Sequence, residues 1–219
     1  MRNSMALFAA LLFVASSHPE PPATEPKDGW IDLLKNGLDD WKRIALPLGT
    51  KLNAENPWKY DAAKKTLTCS KPGFFEMLLH KKEFGDGIYH VEWRFHKVEG
   101  KNDYNSGIYV RCAADGTIWH QAQVAQTQKP PHYADLFGVT KVGDKLEKFL
   151  KTGDGAKFVR PPGEWNTYEI VCQGKNITVW VNGKKATDWR QCQIASGLVG
   201  VQAEYFVIEF RNLKFRPAK

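Results

Sequence analysis

The chain has 219 residues, with 31 lysines and arginines against 24 aspartates and glutamates, and a formal net charge of +7. That length suits one sizeable domain. The basic residues are scattered and no helix carries a basic stripe, so the charge does not describe a nucleic-acid footprint; it describes a solvated basic surface, compatible with acidic polymers or a cell envelope.

Residues 1–17, MRNSMALFAALLFVASS, place Arg2 before an apolar run from Met5 to Ala15, and small residues (Ala15, Ser16, Ser17) follow where a signal peptidase would cut. The run is well short of the roughly 20 apolar residues that span a bilayer. No cysteine follows it to carry a lipid anchor. The segment therefore reads as a signal peptide, and the protein as exported, periplasmic or extracellular, with no membrane span. Residues 18–27, HPEPPATEPK, have almost nothing to bury and read as a proline-rich linker. The globular domain runs from residue 28 to 217, opening at Asp28-Gly29-Trp30.

Along that domain, segments of period-two alternation recur: KTLTCS, GIYHVEWRFHKV, SGIYVRC, TIWHQAQVAQ, NTYEIVCQG, NITVWVNG, GLVGVQA and VIEFRNLKF. Turn signals separate them, among them Lys71-Pro72-Gly73, Gly85-Asp86-Gly87, Asp115-Gly116 and Asn182-Gly183. Many short strands at this spacing predict an all-β antiparallel sandwich or barrel. Eight tryptophans and twelve phenylalanines supply the apolar area for a core between two sheets. One stretch departs from the pattern. In residues 141–155, Val142, Leu146, Phe149 and Leu150 stand at helical spacing, which predicts one short amphipathic helix inside a long connection. Cys69, Cys112, Cys172 and Cys192 would allow two disulfides in three pairings and lack the spacing of a zinc site. No dense Asp/Asn loop argues for calcium, so neither metal nor cofactor is expected.

Strand parity assigns faces. Tyr89, Val91, Trp93 and Phe95 belong to the core, which turns His90, Glu92, Arg94 and His96 the other way. Ile108, Val110 and Cys112 go inward, leaving Tyr109 and Arg111 outside. His120, Ala122 and Val124 go inward, leaving Trp119, Gln121 and Gln123 outside. Val199, Val201 and Ala203 go inward, leaving Gln202 and Glu204 outside. If these strands are neighbours, one face carries Glu92, Arg94, Tyr109, Arg111, Trp119, Gln121, Gln123, Gln202 and Glu204. Aromatic rings that pack on pyranose faces, with amides, carboxylates and guanidinium groups that bond vicinal hydroxyls, compose a sugar site. The plainer alternative is an outer sheet face whose charges pair across strands and bind nothing.

The chain also resembles a known family. Asp28-Gly29-Trp30-Ile31-Asp32-Leu33-Leu34 with Gly37-Leu38-Asp39-Asp40-Trp41, Phe84-Gly85-Asp86-Gly87-Ile88, Asn105-Ser106-Gly107-Ile108-Tyr109-Val110-Arg111, Pro162-Gly163-Glu164-Trp165-Asn166, Val181-Asn182-Gly183, Gly200-Val201-Gln202 and Glu209-Phe210-Arg211-Asn212 follow, in order, the motifs of 3-keto-disaccharide hydrolase domains. The resemblance implies a concanavalin A-like, two-sheet jelly-roll sandwich with a carbohydrate ligand in a concave groove. It implies hydrolysis of glycosides already oxidised to a ketone at sugar carbon 3, where the acidified C–H allows a base to drive elimination before water adds back. On this view Glu92 and Glu204 are the catalytic acid–base candidates, and Arg94, Asn105, Tyr109, Arg111, Trp119, Gln121, Gln123 and Gln202 bind substrate.

The chain departs from the family where "E-V-Q-I-x-D" becomes Gln121-Ala122-Gln123-Val124-Ala125-Gln126, and an amide cannot act as a base. A structural envelope protein with no sugar site, favoured by the basic surface alone, stands beside two sugar functions: an exported hydrolase whose acid–base task has moved to another carboxylate, or a non-catalytic carbohydrate-binding module on the same sandwich. Both require Glu92, Arg111, Gln123 and Glu204 to converge in one concave cleft.

Overall fold

In a computed structural model that describes residues 29–70, 73–126 and 131–219, the chain folds into fifteen strands and one short turn of 3-10 helix. The signal peptide and proline-rich linker read from residues 1–27 lie outside the described residues. The strands are β1 (Ile31–Asp32), β2 (Trp41–Ala45), β3 (Trp58–Asp61), β4 (Thr66–Cys69), β5 (Glu76–His80), β6 (Gly87–Phe95), β7 (Asn105–Cys112), β8 (Trp119–Ala125), β9 (Leu136–Val142), β10 (Lys145–Lys151), β11 (Asn166–Gln173), β12 (Asn176–Val181), β13 (Lys184–Trp189), β14 (Leu198–Ala203) and β15 (Ile208–Pro217). They form two antiparallel sheets. The first runs β13-β12-β11-β6-β15-β4-β3, with β1 also pairing β15; the second runs β10-β9-β8-β7-β14-β5-β2. Both orders jump along the chain, so the sheets are knitted together by crossovers in the manner of a jelly roll.

The alternation read from the sequence builds the core. From the first sheet, Tyr89, Val91, Trp93, Phe95, Tyr168, Ile170, Ile177, Val179, Ile208 and Phe210 point inward; from the second, Leu78, Ile108, Val110, Ala122, Val124, Val199, Val201 and Ala203 meet them. Each large side chain buried there contributes on the order of 2–3 kcal/mol against exposure. His120 lies fully buried in this layer with its Nε2 at 3.1 Å from Thr140 Oγ1, and burial draws its pKa down to about 4. Parity places it there as a packing histidine. All four cysteines are buried and none forms a disulfide.

The amphipathic helix expected within residues 141–155 does not form. Gly143, at a φ of 59°, turns the chain within two residues so that β10 returns along β9, pairing Lys145 with Val142 and Lys151 with Leu136. The apolar residues at helical spacing divide between two faces of this hairpin. Phe149 goes inward and stacks on Trp189 at 4.0 Å between ring centroids, while Leu146 and Leu150 stay 56% and 63% exposed. The only helical piece nearby is the 3-10 turn Gly155–Lys157.

The candidate site on the second sheet

The groups that parity places on one face are divided between two faces and one edge. Glu92 and Arg94 lie on β6, in the centre of the first sheet, on its outer side. There Glu92 accepts from Arg211 Nε at 2.7 Å and Asn212 Nδ2 at 2.6 Å, and Arg94 Nε donates to Glu209 at 2.6 Å. The guanidinium groups of Arg94 and Arg211 both pack over the ring of Trp165, at 4.6 and 4.0 Å from its centroid. Burial favours the neutral form of Glu92, but hydrogen bonds from His90, Asn212 and Arg211 outweigh it and bring the pKa down to about 2. This is a face of cross-strand ion pairs, the plainer of the two readings, and neither Glu92 nor Arg94 meets the groups of the second sheet.

Arg111 is also misplaced by parity. Between Cys112↔Leu198 and Tyr109↔Gly200, β7 spends two residues where β14 spends one, and the extra residue is Arg111, at a φ of 50°. This bulge inverts the alternation. Arg111 turns into the edge of the sandwich, 1% exposed, where it donates to Asp86 Oδ1 and to the Gly174 carbonyl oxygen, each at 2.7 Å. Asp86 Oδ2 in turn accepts from Gly174 N. Cys112, expected in the core, moves to the outer face with Met77, Leu79, Tyr109 and Leu198, where burial pushes its thiol up to about 12. The convergence of Glu92, Arg111, Gln123 and Glu204 in one cleft therefore fails, and with it both sugar readings in the form that required it. What survives is narrower and lies wholly on the second sheet.

The outer face of β14, β7 and β8 does collect Glu204, Gln202, Asn105, Tyr109, Gln123, Gln121 and Trp119. The register explains how: Tyr109 pairs with Gln121 and Gly200, Gly107 pairs with Gln123, and Asn105 pairs with Ala125. Gly107 leaves a gap between Gln123 and Gln202. A Cβ there would collide with the side chain of Gln121, which lies across the gap. From that position Gln121 Nε2 donates to Gln123 Oε1 at 2.5 Å and to Gln202 Oε1 at 3.0 Å, and Gln123 Nε2 donates to Asn105 Oδ1 at 2.9 Å. The backbone is held too: Ser106 Oγ donates to the Gln202 carbonyl oxygen and Tyr168 Oη to that of Gln123.

Glu204 closes this array. It is 9% exposed and forms no salt bridge among the described residues. Burial raises its pKa to about 7, with the neighbouring Asn105 amide pulling it partly back. Trp119 packs edge-on between Tyr109 and Phe137, with centroids at 6.1 and 5.3 Å. Below the amides, Met77, Leu79, Tyr109, Cys112 and Leu198 form a second apolar cluster, against which Ile44, Leu46 and Trp119 pack.

Two elements beside the face escaped the sequence reading. His132 Nδ1 and Asp135 Oδ2 are 2.6 Å apart, and the backbone of Asp135 accepts from Gln123 N. A His-x-x-Asp spacing in a proline-rich loop is the sole trace of this pair in the sequence. Phe75 and Tyr205, which pack edge-to-face at 5.0 Å, likewise come from segments without clear alternation. No group of three or more His, Cys, Asp or Glu able to hold a metal ion occurs among the described residues. No helix among them is long and apolar enough to cross a membrane.

Two antiparallel sheets in jelly-roll order, one with an outer face that carries amides, aromatic rings and the buried carboxylate of Glu204, define a β-sandwich of the concanavalin A-like class. The chain belongs to the 3-keto-alpha-glucoside-1,2-lyase-like domain family, whose model matches residues 29–216. A protein of Parabacteroides distasonis ATCC 8503, described provisionally as a glycosyl hydrolase, shares the fold at 21% identity and a TM-score of 0.58, over 86% of this chain and 99% of its own. The carbohydrate-binding module CBM66 of Bacillus subtilis shares it at 10% identity and a TM-score of 0.58, over 81% of this chain and 95% of its own. A Bacillus subtilis protein of unknown function with a galectin-like fold matches at 14% identity and a TM-score of 0.51, over 85% and 94%. No curated protein matches the chain.

Proposed function

We propose that the outer face of the second sheet binds a sugar ring and that Glu204 moves the protons in cleaving a glycoside oxidised to a ketone at carbon 3. The observation that carries this reading is a buried carboxylate, unpaired by any described cation, whose pKa of about 7 lies at the end of an ordered array of amides. A general acid–base group works best when its pKa lies near the working pH.

The ketone at C3 acidifies the C2–H bond. Ionised Glu204 takes that proton, the electron pair forms the C1=C2 double bond, and the C1–O bond breaks with its electrons on the aglycone oxygen. Protonated Glu204 can return the same proton to that oxygen, so one carboxyl group balances the elimination. Water adding across C1=C2 completes hydrolysis. An ordinary glycosidase needs two carboxyl groups flanking the bond, and among the described residues Glu204 is the one carboxylate in this array. Gln202, whose Oε1 accepts from Gln121, keeps its NH2 to donate to the enolate oxygen at C3. Trp119, partly exposed, offers apolar ring surface beside the amides, with the buried Tyr109 packed edge-on behind it. The apolar run and small residues of 1–17 support export of the protein to the periplasm or the outside of the cell.

The test is release of aglycone from a 3-keto-α-glucoside by the purified protein, and its loss in Glu204→Gln. The replacement of two family carboxylates by Gln121 and Gln126 favours a second reading, a binding module. Saturable sugar binding without turnover, abolished in Trp119→Ala, would decide for it.

A further inference from the structure

We infer that Gln121 is a positioning residue that sets the direction of a carboxamide chain across the second sheet, so that Asn105 presents its NH2 to Glu204. A carboxamide has a donor end and an acceptor end, so a row of them has a sense. In this row Gln121 donates from Nε2 to two acceptors, Gln123 Oε1 and Gln202 Oε1. Fixing Gln123 Oε1 as an acceptor turns its Nε2 outward along the face, where it donates to Asn105 Oδ1. Fixing Asn105 Oδ1 as an acceptor leaves only Nδ2–H for the next neighbour. The antiparallel register of β7 and β14, with Val201 opposite Ile108 and Gly200 opposite Tyr109, continues to bring Glu204 beside Asn105, whose amide favours the ionised carboxylate. The sense of the whole row is thus decided at residue 121, two amides away from the carboxylate it serves.

A glutamate at 121, the residue type of the family motif, can only accept when ionised. It would draw the NH2 of Gln123 and of Gln202 towards itself and reverse both amides. Gln123 Oε1 would then face Asn105, Asn105 would answer with Nδ2, and its Oδ1 would be left against Glu204, tolerable only if Glu204 kept its proton. A carboxylate at 121 and an ionised Glu204 are therefore alternatives within one hydrogen-bond network. Gly107 is part of the device, because any side chain there would displace Gln121 from the position in which it reaches both partners. The inference builds on the reading of Glu204 as the proton carrier only for its consequence, since the direction of the chain is a property of the unliganded protein.

The experiment is a 13C-carboxyl NMR titration of Glu204 without substrate, in the wild type, Gln121→Glu and Gln121→Met. Methionine keeps the length of the side chain and removes its donors without adding charge. The account predicts an upward shift of the Glu204 midpoint by about one pH unit or more in Gln121→Glu, from the reversed amides and the added charge together. In Gln121→Met a smaller upward shift is expected, because Asn105 is no longer held in one sense. An unchanged midpoint in both variants, with the fold intact by amide chemical shifts, would overturn the inference whether or not the protein cleaves any glycoside. If the shifts appear and wild-type turnover does not, the positioning stands and the catalytic reading falls.

Discussion

The two outer faces of this sandwich use similar side chains to opposite ends. On the first sheet, Glu92 and Glu209 each meet a guanidinium group, and histidines His90 and His96 add further partners. On the second sheet, Glu204 meets the Asn105 amide and no described cation. Hydrogen bonds from His90, Asn212 and Arg211 overcome burial and hold Glu92 ionised down to a pKa of about 2, whereas burial carries Glu204 up to about 7. A paired carboxylate is fixed in one charge state across the physiological range and serves structure; an unpaired buried one is poised to exchange a proton.

The largest expected effect separates the two faces by activity. Glu204→Gln should lower the rate of aglycone release by about 10²–10⁴-fold, the usual range for a lost acid–base group. Glu92→Gln should leave the rate within a few-fold and lower stability instead. The reverse pattern in initial rates would exchange the roles of the faces.

The edge of the sandwich gives the next effect. Asp86→Ala leaves the guanidinium of Arg111, 1% exposed, with the Gly174 carbonyl oxygen but without its carboxylate. Removing the carboxylate, itself 40% exposed, from a buried guanidinium costs about 1–3 kcal/mol. Urea unfolding should show that loss, while sugar affinity at fixed pH stays unchanged, because Arg111 is not part of the face. Gly107→Ala should cost about 1–3 kcal/mol through overpacking against Gln121. Unlike Asp86→Ala, it should also weaken sugar binding, measured by calorimetry.

Stability against pH sharpens the contrast with smaller effects. Glu204 has a folded pKa of about 7 against 4.5 for a free glutamate, so between those values the folded state holds a proton the unfolded state has lost. Its contribution therefore falls as pH rises from 4.5 to 7 and levels off above. Glu204→Gln should stabilise the protein at pH 8 by on the order of 1–2 kcal/mol, seen as a higher Tm. Glu92 acts in the other sense: its folded pKa of about 2 gives stability that is complete above 4.5 and lost as pH falls towards 2. His90 is opposed by burial and by Lys214, yet Glu169 and Glu92 raise its pKa. Its contribution is complete below 6.5 and disappears as pH rises through the raised value.

The sequence carried the fold wherever alternation was regular. The eight alternating segments became β4, β6, β7, β8, β11, β12, β14 and β15, and the inward residues of β6, β8 and β14 are those that parity names. It carried less where a single residue decides geometry. Arg111 at positive φ reverses the faces of β7 beyond Val110, and no composition signal marks an arginine for that conformation. Gly143 makes a hairpin of a stretch whose apolar spacing also fits a helix, since four positions cannot distinguish one helical face from two strand faces. The site was half legible for a related reason. Parity says which way a side chain points but not which sheet its strand joins, and β6 joins the first sheet, which takes Glu92 and Arg94 away from the amides. The short, fully buried β5 shows no alternation and yet supplies Met77 and Leu79 beneath the amides.

The central claim is that the second sheet holds a carboxylate poised near neutrality while the first holds one locked in its charged form. It is tested most directly by titrating both in one sample, through the 13C-carboxyl shifts of Glu92 and Glu204 in the unliganded protein. The account predicts a Glu204 midpoint near 7, with Glu92 ionised until the pH approaches 2. Two midpoints together near 4.5, the value of an ordinary glutamate, would contradict it.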